Sequence, residues 1–226
     1  MTERPGVGDL ARDRFPTSNL LTREALIDSG LPTIVFVAVF GLNGQVLGPA
    51  LLAALATGAL LAAVRLWRQE KLANVAAGFV AVGIAAWLAN RTGRAEDFFL
   101  PGLLINAGYA LAYLVSILLR WPLLGVLVGL ATGEGTGWRQ VPYLLRAYTV
   151  ASWFWVAMFG LRLAVQLPLY LAGEVVALGV ARVVMGWPLF LLCLWLSWLV
   201  ITRARAAQAA AEAAETAERG GAAAGD

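Results

Sequence analysis

FGLRLAVQLPLYLAGEVVALGVARVVMGWPL, Phe159–Leu189, decides the reading of this chain. It is apolar almost throughout, with a turn signal at Gly173-Glu174, and reads as the facing halves of two membrane-crossing helices. Arg162 and Arg182 lie inside it. Each is about ten residues from the turn, so both sit at a similar depth, roughly 10–15 Å in from the outer boundary at a helical rise of about 1.5 Å per residue. On insertion scales a mid-membrane arginine costs about 2.5–3.5 kcal/mol. Side by side and unpaired the two would repel. They need carboxylates, carbonyls, water or a bound anion.

The rest of the chain agrees with a membrane setting. Of 226 residues, 60% are hydrophobic and 14% charged, whereas a soluble domain carries about 25% charged residues. The apolar excess falls in long runs, and the expected fold is all-α, a polytopic transmembrane helical bundle. There is no histidine, which removes imidazole catalysis and imidazole metal ligands. The one cysteine, Cys193, lies in an apolar run and can form no intrachain disulfide. No metal site and no cofactor are expected. The first 24 residues are polar and mixed in charge, without the apolar core of a cleavable signal peptide.

Crossing a hydrocarbon core takes about 20 helical residues, and six crossings are expected: residues 25–42, 46–67, 72–90, 98–119, 147–171 and 175–202. Residues 1–24 form a polar N-terminal segment, 25–202 the membrane domain, and 203–226 an Ala-rich low-complexity tail that extends the last helix and frays at Gly220-Gly221. WPLLGVLVGLAT, Trp121–Thr132, is too short to span and reads as interfacial or re-entrant. Basic residues support this count. With six spans, Arg65, Arg68, Lys71, Arg120, Arg139, Arg146, Arg203 and Arg205 share one side with both termini, and only Arg91 and Arg94 lie opposite. By the positive-inside rule both termini are cytoplasmic. The expected location is a bacterial inner membrane.

Helical periodicity gathers the polar residues. In the fifth span Tyr148, Ser152, Trp155, Phe159, Arg162, Gln166 and Tyr170 follow one face. In the fourth, Gly102, Asn106, Tyr109, Tyr113, Ser116 and Arg120 do so. In the sixth, Gly179, Arg182, Gly186, Cys193 and Ser197 share a face that is small apart from the arginine. Turned toward one another, these stripes make a polar seam of Arg162, Arg182, Asn106, Gln166 and Tyr109, with Glu96, Asp97 or Glu174 as ion-pair partners at its mouth. Two readings stay open. Intramembrane arginines often pair with a neighbouring helix and hold a bundle in register, and intramembrane ionisable groups also mark ligand or ion sites. Pro188 has no amide for the carbonyl of Val184 and should kink the sixth span. The first three spans carry no comparable stripe and read as scaffold.

LPTIVF (31–36), YLVSILLRWPLLG (113–125), LRAYTVASWFWVAMFGLRLAVQLPLYL (145–171) and ALGVARVVMGWPL (177–189) resemble the actinobacterial membrane family called Domain of Unknown Function 3159. The resemblance covers about residues 21–202: a Pro near the first span, Arg-Trp-Pro-Leu after the fourth, and an Arg on each of the last two. In layout the chain is more distantly similar to intracellular septation protein A. That likeness implies an association with envelope integrity and division. Neither resemblance implies catalytic residues.

Three functions are weighed. The first is a non-enzymatic cell-envelope protein acting through helix packing with other membrane proteins. The second is a small transporter, channel or binder of an anionic solute or lipid headgroup, clamped by Arg162 and Arg182. The third, an intramembrane enzyme, usually needs paired carboxylates or a histidine, and Glu134 in GEGTG and Asp97 are isolated. GEGTG also lacks the Gly-Lys-Ser/Thr ending of a phosphate-binding loop. The expected partners are the lipid bilayer, an anionic lipid and envelope membrane proteins, and no nucleic acid.

Overall fold

The computed structural model describes residues 23–69, 72–133 and 135–223. All regular structure among them is helical, with no strand. The helices are α1 (Arg23–Leu42), α2 (Leu47–Trp67), α3 (Leu72–Thr92), α4 (Leu100–Leu118), α5 (Leu123–Thr132), α6 (Pro142–Leu171), α7 (Val175–Val184) and α8 (Trp187–Ala223). Short 3₁₀ turns occupy Ala95–Phe99 and Gly137–Gln140. The N-terminal segment expected at 1–24 lies outside the described residues as far as residue 22, and so do Lys71 and Glu134.

Among the described residues, four segments are long and apolar enough to cross a membrane: Leu47–Trp67, Ala95–Leu118, Pro142–Leu171 and Val175–Ala211. Gly30–Leu42 and Leu123–Thr132 are shorter apolar helices. The chain is an integral membrane protein.

Boundaries differ from the sequence expectation at three places, each for a local reason. The fifth segment starts at Pro142 rather than Ala147, because proline suits the first helical position, where its missing N–H is not needed. The sixth is two helices, since Met185-Gly186 interrupts it ahead of Pro188. The tail stays helical through Gly220-Gly221 to Ala223, as a run of Ala, Glu and Gln carries high helix propensity.

The chain forms two compact units. One takes the described residues through Phe98 together with Val175–Gly179, and the other takes Phe99–Glu174 with the described residues from Val180 on. In the first, α1 packs on α2 and α2 on α3. Small residues set the approach: Ala50 and Ala54 of α2 and Ala89 of α3 are fully buried, as expected where helices associate in lipid by close packing. Phe36 stacks on Phe98 with ring centroids 4.2 Å apart. The start of α7 joins this unit at Gly179, where a Cβ would lie 2.2 Å from Cγ2 of Val37.

In the second unit α6 is central and packs against α4, α5 and α8. Its core is aromatic. Tyr113 stacks on Trp155 at 5.6 Å, and Trp155 meets Phe190 edge-on at 5.4 Å. The Trp155 indole N–H donates to Ser197 Oγ (3.1 Å), and that hydroxyl donates to the Cys193 carbonyl (2.8 Å). Ser116 Oγ donates to the Tyr113 carbonyl (2.7 Å) and accepts from the Leu123 amide (3.0 Å), which ties the end of α4 to the start of α5. α5 lies under the 3₁₀ turn that carries buried Trp138. A Cβ on Gly129 would lie 2.1 Å from the Gly135 carbonyl oxygen, whereas one on Gly137 meets nothing within 4 Å.

That contrast sets a test. Gly129→Ala forces backbone apart and should destabilise the protein by about 1–3 kcal/mol, the usual range for overpacking. Gly137→Ala should leave the thermal midpoint of the detergent-solubilised protein near wild type.

Candidate functional site

Interruption of the last segment creates the site. Pro188 carries no N–H, so it cannot continue the ladder to Val184. α7 closes instead with the Met185 amide on the Ala181 carbonyl (2.9 Å) and the Gly186 amide on the Val183 carbonyl (3.1 Å), and the ladder resumes with the Phe190 amide on the Gly186 carbonyl (3.2 Å). A helix end inside hydrocarbon exposes carbonyls that water cannot reach.

Arg162 answers that need. From the middle of α6 its Nε donates to the Met185 carbonyl at 2.8 Å, and its Nη2 donates to the Gly186 carbonyl. Hydrogen bonds to charged donors contribute about 1.5–3 kcal/mol each. Two of them are comparable with the insertion cost of about 2.5–3.5 kcal/mol. The C-terminal end of a helix carries partial negative charge, which favours a guanidinium there. Carbonyls, among the four solutions open to the sequence, are the ones Arg162 uses.

Arg182 lies in the last turn of α7, three and four residues before those two carbonyls. Its guanidinium rests on the backbone of α4 at Gly102. A Cβ there would lie 2.6 Å from Nη1 and 2.9 Å from Cζ, so only glycine admits this seat. The ring of Phe99 lies 5.7 Å from Cζ, within the range of a cation–π contact.

The other residues of the expected seam divide. Asn106 Nδ2 donates to the Gly102 carbonyl at 2.9 Å, beside the seat of Arg182. Gln166 is buried one turn beyond Arg162. Tyr109 is 52% exposed and stacks on Phe159 at 5.4 Å, so it belongs to the aromatic packing and the surface. Glu96 accepts from Arg94 Nε at 2.8 Å. Asp97 is buried in the 3₁₀ turn, its amide on the Arg94 carbonyl (3.2 Å). Glu174 is exposed ahead of α7, its amide closing the hairpin on the Leu169 carbonyl (3.0 Å).

Both arginines thus lie beside the α7–α8 break, Arg162 held by its backbone and Arg182 seated on Gly102. The sequence reading missed the acceptors, because a carbonyl has no letter in the sequence. The signal that could have found them is Gly186-Trp187-Pro188 four residues beyond Arg182. A chain that stops a helix mid-membrane must supply donors nearby.

Removing those donors should be costly. Arg162→Gln should lower stability by about 2–4 kcal/mol, the loss of two charge-assisted bonds to part-buried carbonyls. Pro188→Ala gives the chain an amide that can bridge the break, so in the Arg162→Gln background it should restore part of the loss. A double-mutant cycle on denaturation midpoints should show coupling of about 1–2 kcal/mol. Additive effects would mean that Arg162 and the break are unrelated.

The protein family described as Protein of unknown function (DUF3159) matches residues 22–208. No curated protein and no solved structure matches the chain. With well over half of its length matched, the chain belongs to the family described as Protein of unknown function (DUF3159).

Proposed function

We propose that this protein is a non-enzymatic component of a bacterial cytoplasmic membrane, a six-span bundle with both termini cytoplasmic, acting through packing against other envelope membrane proteins. The observation that carries this reading is the pair of hydrogen bonds from Arg162 to the Met185 and Gly186 carbonyls. A guanidinium engaged there completes the protein's own backbone, and its charge serves the fold. Arg182, set against Gly102, packs one helix on another. The aromatic face of α6 is likewise spent on α4 and α8.

Six spans follow from adding α1 and α3 to the four long segments. α3 has 21 residues, enough for a core of about 30 Å. α5, with ten residues, stays on the cytoplasmic side. This places Arg65 and Arg68 inside and Arg91 and Arg94 outside, in keeping with the positive-inside rule. An anion binder or transporter built on Arg162 and Arg182 is the competing reading. It would use the N–H groups that Arg162 does not give to the carbonyls, together with those of Arg182.

Two measurements test this. Cysteines placed at Gly44 and Arg94, with Cys193 replaced by Ser, should react with an impermeant maleimide added outside intact cells, and cysteines at Gln69 and Gly137 should not. The opposite pattern would overturn the topology. Native mass spectrometry of wild type beside folded Arg162→Gln, Arg182→Gln should show no adduct that depends on these arginines. A defined anionic species lost from the double variant would establish the clamp instead.

A further inference from the structure

A groove runs between α2 and α3, lined by Gly48, Leu51 and Leu55 on one side and Gly83, Trp87 and Asn90 on the other, with a volume of about 450 Å³. The two helices run antiparallel, so Gly48 and Asn90 mark the same end. From Leu55 to Gly48 the groove is about 10 Å long at 1.5 Å per residue. Its depth comes from missing side chains: an added Cβ meets nothing within 4 Å at either Gly48 or Gly83. A groove apolar along its length with Asn90 and Arg91 at one end suits a lipid, with its apolar chain and polar head, rather than an apolar partner helix. A hydrocarbon chain fits such a slot.

The Asn90 end differs in chemistry from the rest. Trp87 is 60% exposed, and the guanidinium of Arg91 lies 5.7 Å from the centre of its ring. Arg91 is exposed. Arg94, the other basic residue at this end, is engaged by Glu96. Arg91 in the last turn of α3 also suits the helix dipole, and a tryptophan beside an arginine is a common interfacial anchor. An anchor alone needs no slot beneath it. Here an amide, an indole N–H and a guanidinium stand over an apolar groove.

We propose that this groove binds one anionic phospholipid, the upper part of an acyl chain lying between Gly48 and Gly83 and the phosphate held at Asn90 and Arg91. The site is separate from the Arg162–Arg182 seam and stands whether that seam is structural or binds an anion. Charge selects the headgroup: a guanidinium with a free face favours a net-negative lipid over a zwitterion. The two glycines select for occupancy, because larger side chains at either position would fill the slot.

The experiment is native mass spectrometry of the full-length protein in detergent, titrated with phosphatidylglycerol or with phosphatidylcholine of the same acyl chains. Wild type should retain one phosphatidylglycerol about tenfold more tightly than phosphatidylcholine, and Arg91→Gln should erase that preference. Gly83→Leu and Gly48→Leu should each weaken phosphatidylglycerol retention about tenfold with the thermal midpoint unchanged. Should Gly83→Leu fail to fold, Gly48→Leu decides. Arg162→Gln should leave this adduct intact. Equal retention of both lipids by wild type, which is the behaviour of bulk annular lipid, overturns the proposal. So does a folded groove-filling variant that holds phosphatidylglycerol as wild type does, since the headgroup contact would then be a surface one only.

Discussion

A backbone carbonyl without a donor costs several kcal/mol in hydrocarbon, and where the last membrane segment of this chain breaks at Met185-Gly186, Arg162 donates to both carbonyls, the second of which it shares with the Phe190 amide. Much of the second unit is arranged around that fact. Pro188 ends the ladder, and the ladder's loose end draws Arg162 across from α6. That side chain fixes the rotation of α6 relative to α8. With the rotation set, Trp155, seven residues earlier and on the same face, lands beside Ser197 and donates to it. The same rotation turns Phe159 and Trp155 to Tyr109 and Tyr113 of α4. One face of α6 therefore meets both α8 and α4.

This economy bears on what an intramembrane arginine means. A guanidinium has five donors in a planar fork and keeps its charge. It can serve an anion or terminate a broken helix, and each N–H given to a carbonyl leaves one fewer for an anion. Here Nε and one terminal nitrogen are committed to carbonyls. The proposed function rests on that commitment. Arg182 adds a second device of the same kind, because its guanidinium occupies the space that a Cβ at Gly102 would take. A bundle keyed in this way resists sliding of one helix past another.

Much of the architecture was legible in the sequence, for physical reasons. Apolar runs of about 20 residues have few alternatives to membrane helices. The 3.6-residue period also identified the buried face of α6: Tyr148, Ser152, Trp155, Phe159 and Gln166 are all buried. The face of the last segment held as well, with Gly179, Cys193 and Ser197 buried. That Arg162 and Arg182 lie at a similar distance from the hairpin came from counting residues, since helical rise converts sequence distance to length along the axis. Partners were less legible. Glu96 was a reasonable candidate for a seam arginine by its side of the membrane, yet Arg94, two residues away, takes it. Tyr109 shares a helix face with Tyr113 but is half-exposed, whereas Tyr113 is buried against Trp155. The break at Met185-Gly186 was foreshadowed as a kink at Pro188, and its carbonyls went unread because backbone atoms are common to every residue. The groove between α2 and α3 was invisible for a similar reason. Gly48 and Gly83 lie 35 positions apart and combine only once the helices pack.

Solid-state NMR of the protein in lipid bilayers addresses the central contact without disturbing it. Arginine would be labelled with ¹⁵N on its side chain and methionine with ¹³C on its carbonyl, in a Met158→Leu background so that Met185 is the one labelled methionine within the bundle. Recoupling between an arginine Nε and the Met185 carbonyl carbon, at the separation set by a 2.8 Å hydrogen bond, is the expected result. Absence of that coupling, with the Arg162 Nε dephased instead by lipid phosphorus, would contradict the account and make the arginine a ligand for an anion.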